Sequence, residues 1–266
     1  MPSHPRVYAT EAFVLRRTDF GEADRILTLF TPGQGKVRAI AKGARRTTSR
    51  LAGHLEPFTR TQLLLATGRD LDIVTQAEAR ERLDALRDAL WHATAAWYAS
   101  ELVDRFLEDA DPHPRIYALL ARTLRLLDAG ARAEAGTPDS AAGERARCVL
   151  ALRYFELRLL DELGYRPALH TCAGCDTPLL PEENGYSAEL GGALCPACSR
   201  YAQRRLSLSA LKVLRLLQTT EWDAVPRLRL DAALQAELEG TLQSSLRYHL
   251  DRDLKSVNFL HAPGVE

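Results

Sequence analysis

The chain has no apolar run approaching the roughly 18 to 20 residues that a membrane-spanning helix needs. Its opening segment, MPSHPRVYATEAFVLRRTD, lacks a basic head, a continuous apolar stretch and a small-residue cleavage site. Secretion and a membrane are therefore not expected, and a cytoplasmic protein is. Enzyme signatures are missing too. TPGQGK, residues 31–36, is not a phosphate-binding loop, because Val37 follows the lysine where Ser or Thr is required. There is no H-E-x-x-H, no G-x-S-x-G, and no G-x-G-x-x-G between a strand and a helix. No internal repeat stands out, and net charge is absent, with 35 Lys and Arg against 35 Asp and Glu. These absences favour a binding protein over an enzyme.

What is present is a chain of 266 residues, 46% hydrophobic and 26% charged, enough for one large domain or two smaller ones. The zero net charge hides an asymmetry. Residues 1–80 carry thirteen Lys and Arg against eight Asp and Glu, and the remainder carries twenty-two against twenty-seven. The excess concentrates in GKVRAIAKGARRTTSR, residues 35–50, which has six basic side chains and no acidic one. A polyanion-binding first domain would look like this.

The first eighty residues read as β. ATEAFVLRRTD, ADRILTLFT, KVRAIAKG, FTRTQLLLAT and DLDIVTQAEA are five candidate strands, with TPGQGK and GRD as turns. Five short strands in so little chain suit a small closed barrel of the OB type, which removes exposed edges. From Glu81 the apolar period becomes helical, through Leu83, Leu86, Leu90, Ala93, Trp97 and Leu102. DPHP breaks that helix, and RIYALLARTLRLL begins another. DAGARAEAGTPDSAAG, residues 128–143, reads as an exposed loop. Helices follow at 144–164, 207–220 and 231–254. The expected fold is α+β: an OB-fold barrel over 1–80, then a helical domain over 81–266 with a cysteine module inserted at about 168–202.

Four of the five cysteines form that module. Cys172 and Cys175 make one C-x-x-C pair and Cys195 and Cys198 the other, nineteen residues apart. Each pair can present two sulfurs to one ion from a single turn, and two pairs complete a tetrahedron. The spacing predicts one structural Zn2+, with no coordination position left for water. Redox pairs would want a βαβ setting, and a zinc deaminase would want H-x-E and a proline before Cys195, where Leu194 stands. His170 is a possible replacement ligand. Cys148 reads as a small packed hydrophobe.

In an extended strand Lys36, Arg38 and Lys42 share a face with Ile40, and Val37, Ala39 and Ala41 take the other. Arg45, Arg46 and Arg50 follow among Thr47, Thr48 and Ser49. Charges that displace counterions, next to hydroxyl donors, suit a phosphate backbone. Arg16 and Arg17 lie on the first candidate strand, with Tyr8, Phe13 and Phe20 nearby as aromatics for stacking bases. A solvated edge strand defended by charge is equally compatible with the basic run by itself.

The order of these parts resembles the RecO family of bacterial recombination mediators along essentially the whole chain. The resemblance rests on FVLRRTDFGEADRILTLFTPGQGKVRAIAKGARR, on LEPF after the basic loop, and on CAGC and CPAC among the helices. It implies an OB-fold domain, a helical bundle and a zinc module, in a DNA repair protein associated with the nucleoid and without catalytic turnover. It further implies binding of single- and double-stranded DNA, annealing of complementary strands, and cooperation with RecR to help RecA replace single-strand-binding protein. Lys36, Arg38, Lys42, Arg45, Arg46 and Arg50 take the DNA-contacting role by this resemblance, with Arg16 and Arg17 beside them. Family members dock the acidic, hydrophobic C-terminal tail of single-strand-binding protein on the helical domain, where Arg122 and Arg125 beside Leu119 and Leu126 are candidates. An adaptor acting mainly through protein contacts is the alternative.

Overall fold

The computed structural model describes residues 6–134, 138–225, 227–228 and 230–250, with 138–142 described as backbone only. The described residues divide into two compact units, one ending at Ala131 and the other beginning at Arg132. Among them, no helix is long and apolar enough to cross a membrane.

The first unit is built on five strands: β1 (Val7–Phe20), β2 (Asp24–Thr31), β3 (Gly35–Ala41), β4 (Arg60–Ala66) and β5 (Asp72–Glu81). They close into a barrel in the order β1-β2-β3-β5-β4. β1, β2 and β3 form an antiparallel meander, β3 meets β5 in parallel, and β4 returns to pair with β1. No strand of the five is left with an open edge, as the OB-type expectation required.

Period-two alternation fills the barrel. Leu27 and Leu29, Ala39 and Ala41, and Leu63 and Leu65 point inward, joined by Ala12, Val14, Leu55 and Val74. Each fully buried Leu contributes roughly 1.5 to 3 kcal/mol relative to exposure. The small alanines of β3 match the larger leucines of β2 and β4, as a narrow interior demands. One irregularity matters. The β1–β2 register shifts between Val14 and Arg16, making Leu15 the extra residue of a β-bulge.

The expected helix from residue 83 onward is interrupted. α1 (Ala85–Asp88) is a single turn, Ala89 is extended, and α2 (Leu90–Phe106) starts afresh. The interruption lets Leu86 sit fully buried while its N–H donates to the Asp128 carboxylate at 3.3 Å. α3 (Pro114–Glu134) runs through much of the segment expected as a loop, and α4 (Pro138–Glu162) takes up its remainder from 138. Alanine, arginine and glutamate there favour helix more strongly than the scattered Gly and Pro oppose it. The first unit thus extends well past the barrel, whose last strand ends at Glu81.

The second unit contains α4, a small sheet and two further helices. β6 (Asn184–Ser187) lies between β7 (Gly192–Leu194) and β8 (Arg204–Leu206). α5 (Leu208–Thr219) begins with Ser207, whose hydroxyl accepts the N–H of Ala210. α6 (Ala232–Leu250) closes the described chain; residues 251–254 of the expected helix lie outside the described residues.

Candidate functional site

Residues opposite one another on neighbouring strands share a face. On the outside of β1, β2 and β3 this builds four parallel rows, three of them away from the covered end. Arg16 faces Thr28, which faces Arg38. Thr18 faces Ile26, which faces Ile40. Phe20 faces Asp24, and Lys42 continues the series begun by Arg38 and Ile40. Arg16, Arg38, Lys42 and Phe20 are exposed. Asp24 is the acidic residue of the patch, and its carboxylate accepts the Gly43 N–H at 2.7 Å. The Leu15 bulge sets this arrangement, because it decides that Arg16 turns outward and Arg17 inward over the end of the barrel.

Lys36 lies on the same outer face but at its covered end. Its row, Phe13–Phe30–Lys36, is roofed by the Tyr117 ring, whose centroid is 5.3 Å from that of Phe13 and 5.6 Å from that of Phe30. Lys36 is 8% exposed. Its ammonium donates to the Asp104 main-chain carbonyl at 2.5 Å and lies 3.3 Å from the Asp104 carboxylate and 3.6 Å from that of Asp109. Gly35 explains how the connection between α2 and α3 comes so close. A Cβ there would sit 2.0 Å from the Asp111 carbonyl oxygen, and its φ of 67° is one that glycine adopts freely.

The loop after β3 carries the remaining arginines. Arg45 is stapled back: its N–H donates to the Ala23 carbonyl at 2.9 Å, and its guanidinium reaches the Gly21 carbonyl and the Asp19 carboxylate. Asp19 also pairs with Arg25, which shares Glu56 with Arg17. Arg17, Glu56, Arg25, Asp19 and Arg45 therefore form one alternating chain of charge across the end of the barrel. Arg38, Lys42, Arg46 and Arg50 are exposed and form no ion pair among the described residues. Arg16 has one long contact, 3.8 Å to Asp104, and is 60% exposed. Of the three aromatics, Phe13 is buried and Tyr8 hydrogen-bonds Asp72, leaving Phe20 in the open.

Arg125, a candidate receptor for an acidic tail, grips the Glu81 carboxylate with two hydrogen bonds of 2.6 and 2.8 Å. That pairing, opposed by partial burial and helped by Arg60, holds Glu81 below the usual carboxylate range. Arg122 is engaged as well.

In the second unit, the sulfurs of Cys172, Cys175, Cys195 and Cys198 all lie within 4.8 Å of one another, and His170 is not among them. Cys172 and Cys175 sit at the tip of a hairpin closed by Cys172 N–H to Thr177 O at 2.8 Å and Leu179 N–H to His170 O at 3.0 Å. Asp176 takes the left-handed conformation that turns this tip, with φ 59°. Cys195 directly follows β7, and a 3-10 turn from Pro196 returns Cys198 toward it. Burial opposes charge on Cys172, but the N–H groups of Cys195 and Gly174 outweigh it and bring the thiol down to about 6. Cys198, hydrogen-bonded to Cys175, is pushed up to about 12. Four sulfurs this close cannot all ionise without a cation between them. Four thiolates bonded to one ion at about 2.3 Å would stand about 3.8 Å apart, and Cys175 and Cys195 are 3.8 Å apart. The donor set fits one metal ion. By contrast Cys148 is a buried thiol pushed up to about 12, first by burial.

Barrel and cluster together define the class: an α+β protein whose five-stranded barrel comes first and whose helical part carries four clustered cysteines. Comparison with known proteins makes it specific. The family model "Recombination protein O N terminal" matches residues 6–82, and "Recombination protein O C terminal" matches 88–137 and 141–258. A DNA repair protein RecO from Roseiflexus sp. (strain RS-1) is 46% identical over 257 residues, covering 96% of this chain and 85% of that protein. The DNA repair protein RecO of Desulforudis audaxviator (strain MP104C) is 39% identical over 262 residues, covering 97% and 98%. That of Symbiobacterium thermophilum is 35% identical over 258 residues, covering 96% of each. The chain belongs to the RecO family, recombination mediators of DNA repair that act without catalysing a reaction.

Proposed function

We propose that the chain binds single- and double-stranded DNA on the outer face of β1–β3 and the loop beyond it. There it anneals complementary strands and, with RecR, helps RecA onto strands covered by single-strand-binding protein. One observation carries this reading. Arg38, Lys42, Arg46 and Arg50 are exposed with no ion pair among the described residues, and they adjoin Arg16 on one open strand face. Unpaired cations can exchange counterions for phosphates at little cost, whereas a paired arginine must first break its own bridge. Arg17 and Arg45 accordingly shape the surface, and Lys36 anchors it at its covered end. Threonines 18, 47 and 48 supply hydroxyl donors of the kind that fix a backbone's position.

The four cysteines hold one Zn2+ in this reading. A closed four-thiolate set suits that ion and offers no open position for hydrolytic chemistry. The ion's role is to hold the two turns together.

The test is an annealing assay on complementary strands covered by single-strand-binding protein, comparing the native chain with an Arg38→Glu/Arg46→Glu double variant. Annealing and affinity should collapse while the melting temperature stays unchanged. Unchanged affinity would make the face a solvated edge and leave the protein acting through protein contacts.

A further inference from the structure

The open face has an apolar side as well as a charged one. Phe20 ends β1 with 52% of its surface exposed, and no ring packs against it among the described residues. It belongs to the same face as Thr18 and Arg16, two and four residues earlier on the strand. Between its row and the Arg16–Thr28–Arg38 row lies the Thr18–Ile26–Ile40 row, whose two isoleucines are half-buried. Alternate residues along a strand stand about 7 Å apart. A backbone held by Arg16 and Arg38 would therefore pass its bases over the isoleucines toward Phe20.

We infer that Phe20 is a stacking platform for an unpaired base, and that it makes this face favour single strands over duplex. The inference rests on the reading of the face as a DNA surface. A duplex offers phosphates to the arginines but keeps its base faces stacked inside the helix, so Phe20 gains nothing from it. An unpaired base presents its π-face to the ring, whatever its identity.

The experiment measures equilibrium binding of a labelled thirty-residue oligothymidine and of a mixed-sequence duplex of the same length, across a salt series. Phe20→Ala should weaken single-strand binding roughly 5- to 150-fold, the range of one lost stack. Duplex binding should change less than about twofold, and the single-strand salt slope should hold, because no phosphate contact is removed. Phe20→Leu keeps apolar bulk on the strand, so it controls for folding. It should keep the native melting temperature yet still lose single-strand affinity, and Phe20→Trp should retain it. Equal losses on both ligands, or no loss on either, would overturn the inference. Failure of the Arg38→Glu/Arg46→Glu variant to lose affinity would instead overturn the DNA surface itself.

Discussion

Lys36 and Asp104 are joined twice: the lysine ammonium donates to the Asp104 carbonyl at 2.5 Å and faces its carboxylate at 3.3 Å. The pair ties the start of β3 to the end of α2, and the Ala110 N–H reinforces it by donating to the Lys36 carbonyl at 2.9 Å. The strand that carries Arg38 and Lys42 is thereby held at the end they do not occupy. Lys36→Ala should cost about 1 to 3 kcal/mol of stability, because it leaves a half-buried carboxylate and a carbonyl without their donor. Urea denaturation reads that loss. The salt slope of DNA binding by the folded variant should not change. A normal denaturation midpoint with a shallower slope would put Lys36 on the DNA instead.

The braced and unbraced arginines should separate in a single alanine series. Arg38→Ala and Arg46→Ala should each reduce the single-strand salt slope by roughly 0.7, the share of one phosphate contact. Arg17→Ala should leave the slope alone and lower stability by about 1 kcal/mol or less, since its bridge to Glu56 is partly exposed. Equal slopes for Arg17→Ala and Arg38→Ala would mean that the ion-pair chain across the barrel end opens when DNA arrives.

Much of this surface is legible in the sequence. Alternation along β3 put Arg38, Ile40 and Lys42 together, and strand boundaries inferred from Leu27, Leu29, Leu63 and Leu65 fell within a few residues of the observed ones. Cysteine spacing located the cluster, because local turns fix where neighbouring sulfurs can point. Long-range facts were not legible. Nothing in residues 35–50 shows that Tyr117 and Asp104 will roof one end of the face and bury Lys36. The Leu15 bulge, which separates Arg16 from Arg17, depends on register with β2. Phe13 and Phe20 look alike in the sequence, and a helix covers only one of them. The segment at 128–143 reads as a loop in the sequence, yet Gly130 lies near the end of α3 and Pro138 opens α4, positions where these residues are tolerated.

Glu81 and Arg125 should make stability depend on pH in the acid range. The folded carboxyl titrates below its unfolded counterpart, so the unfolded chain binds the extra proton as pH falls. The stabilisation is complete above the unfolded value, near 4.3, and is lost as pH falls through the folded value. Urea midpoints of the native chain and Glu81→Gln should differ at pH 7 and draw together as pH falls below the unfolded value. The gap should be about 1 kcal/mol or less, because Arg125 is nearly half exposed and solvent screens the pair. A gap that stays constant with pH would assign the effect of Glu81→Gln to packing rather than charge.

Removing the metal should unfold the cysteine module while sparing the barrel. Arg215 donates to the Leu169 carbonyl at 2.8 Å and Gln218 to that of Pro167 at 3.0 Å, so α5 fastens the chain where it enters the module. The Tyr186 hydroxyl meets that of Ser245 at 2.6 Å and fastens β6 to α6. Between these anchors the turns at residues 174–178 and 196–197 are exposed to solvent, and a bound ion would supply there what a core otherwise does. Purified protein should carry one ion per chain by mass spectrometry, with four sulfur ligands by X-ray absorption. Chelation or Cys172→Ser should speed amide exchange across roughly residues 170–200, lower the melting temperature and reduce soluble yield. Exchange in β1–β5 should stay as slow as before, since the barrel core from Ala12 to Val74 contains no cysteine. Metal-free protein that melts at the native temperature would show that the hairpin and sheet hold the four sulfurs together without an ion.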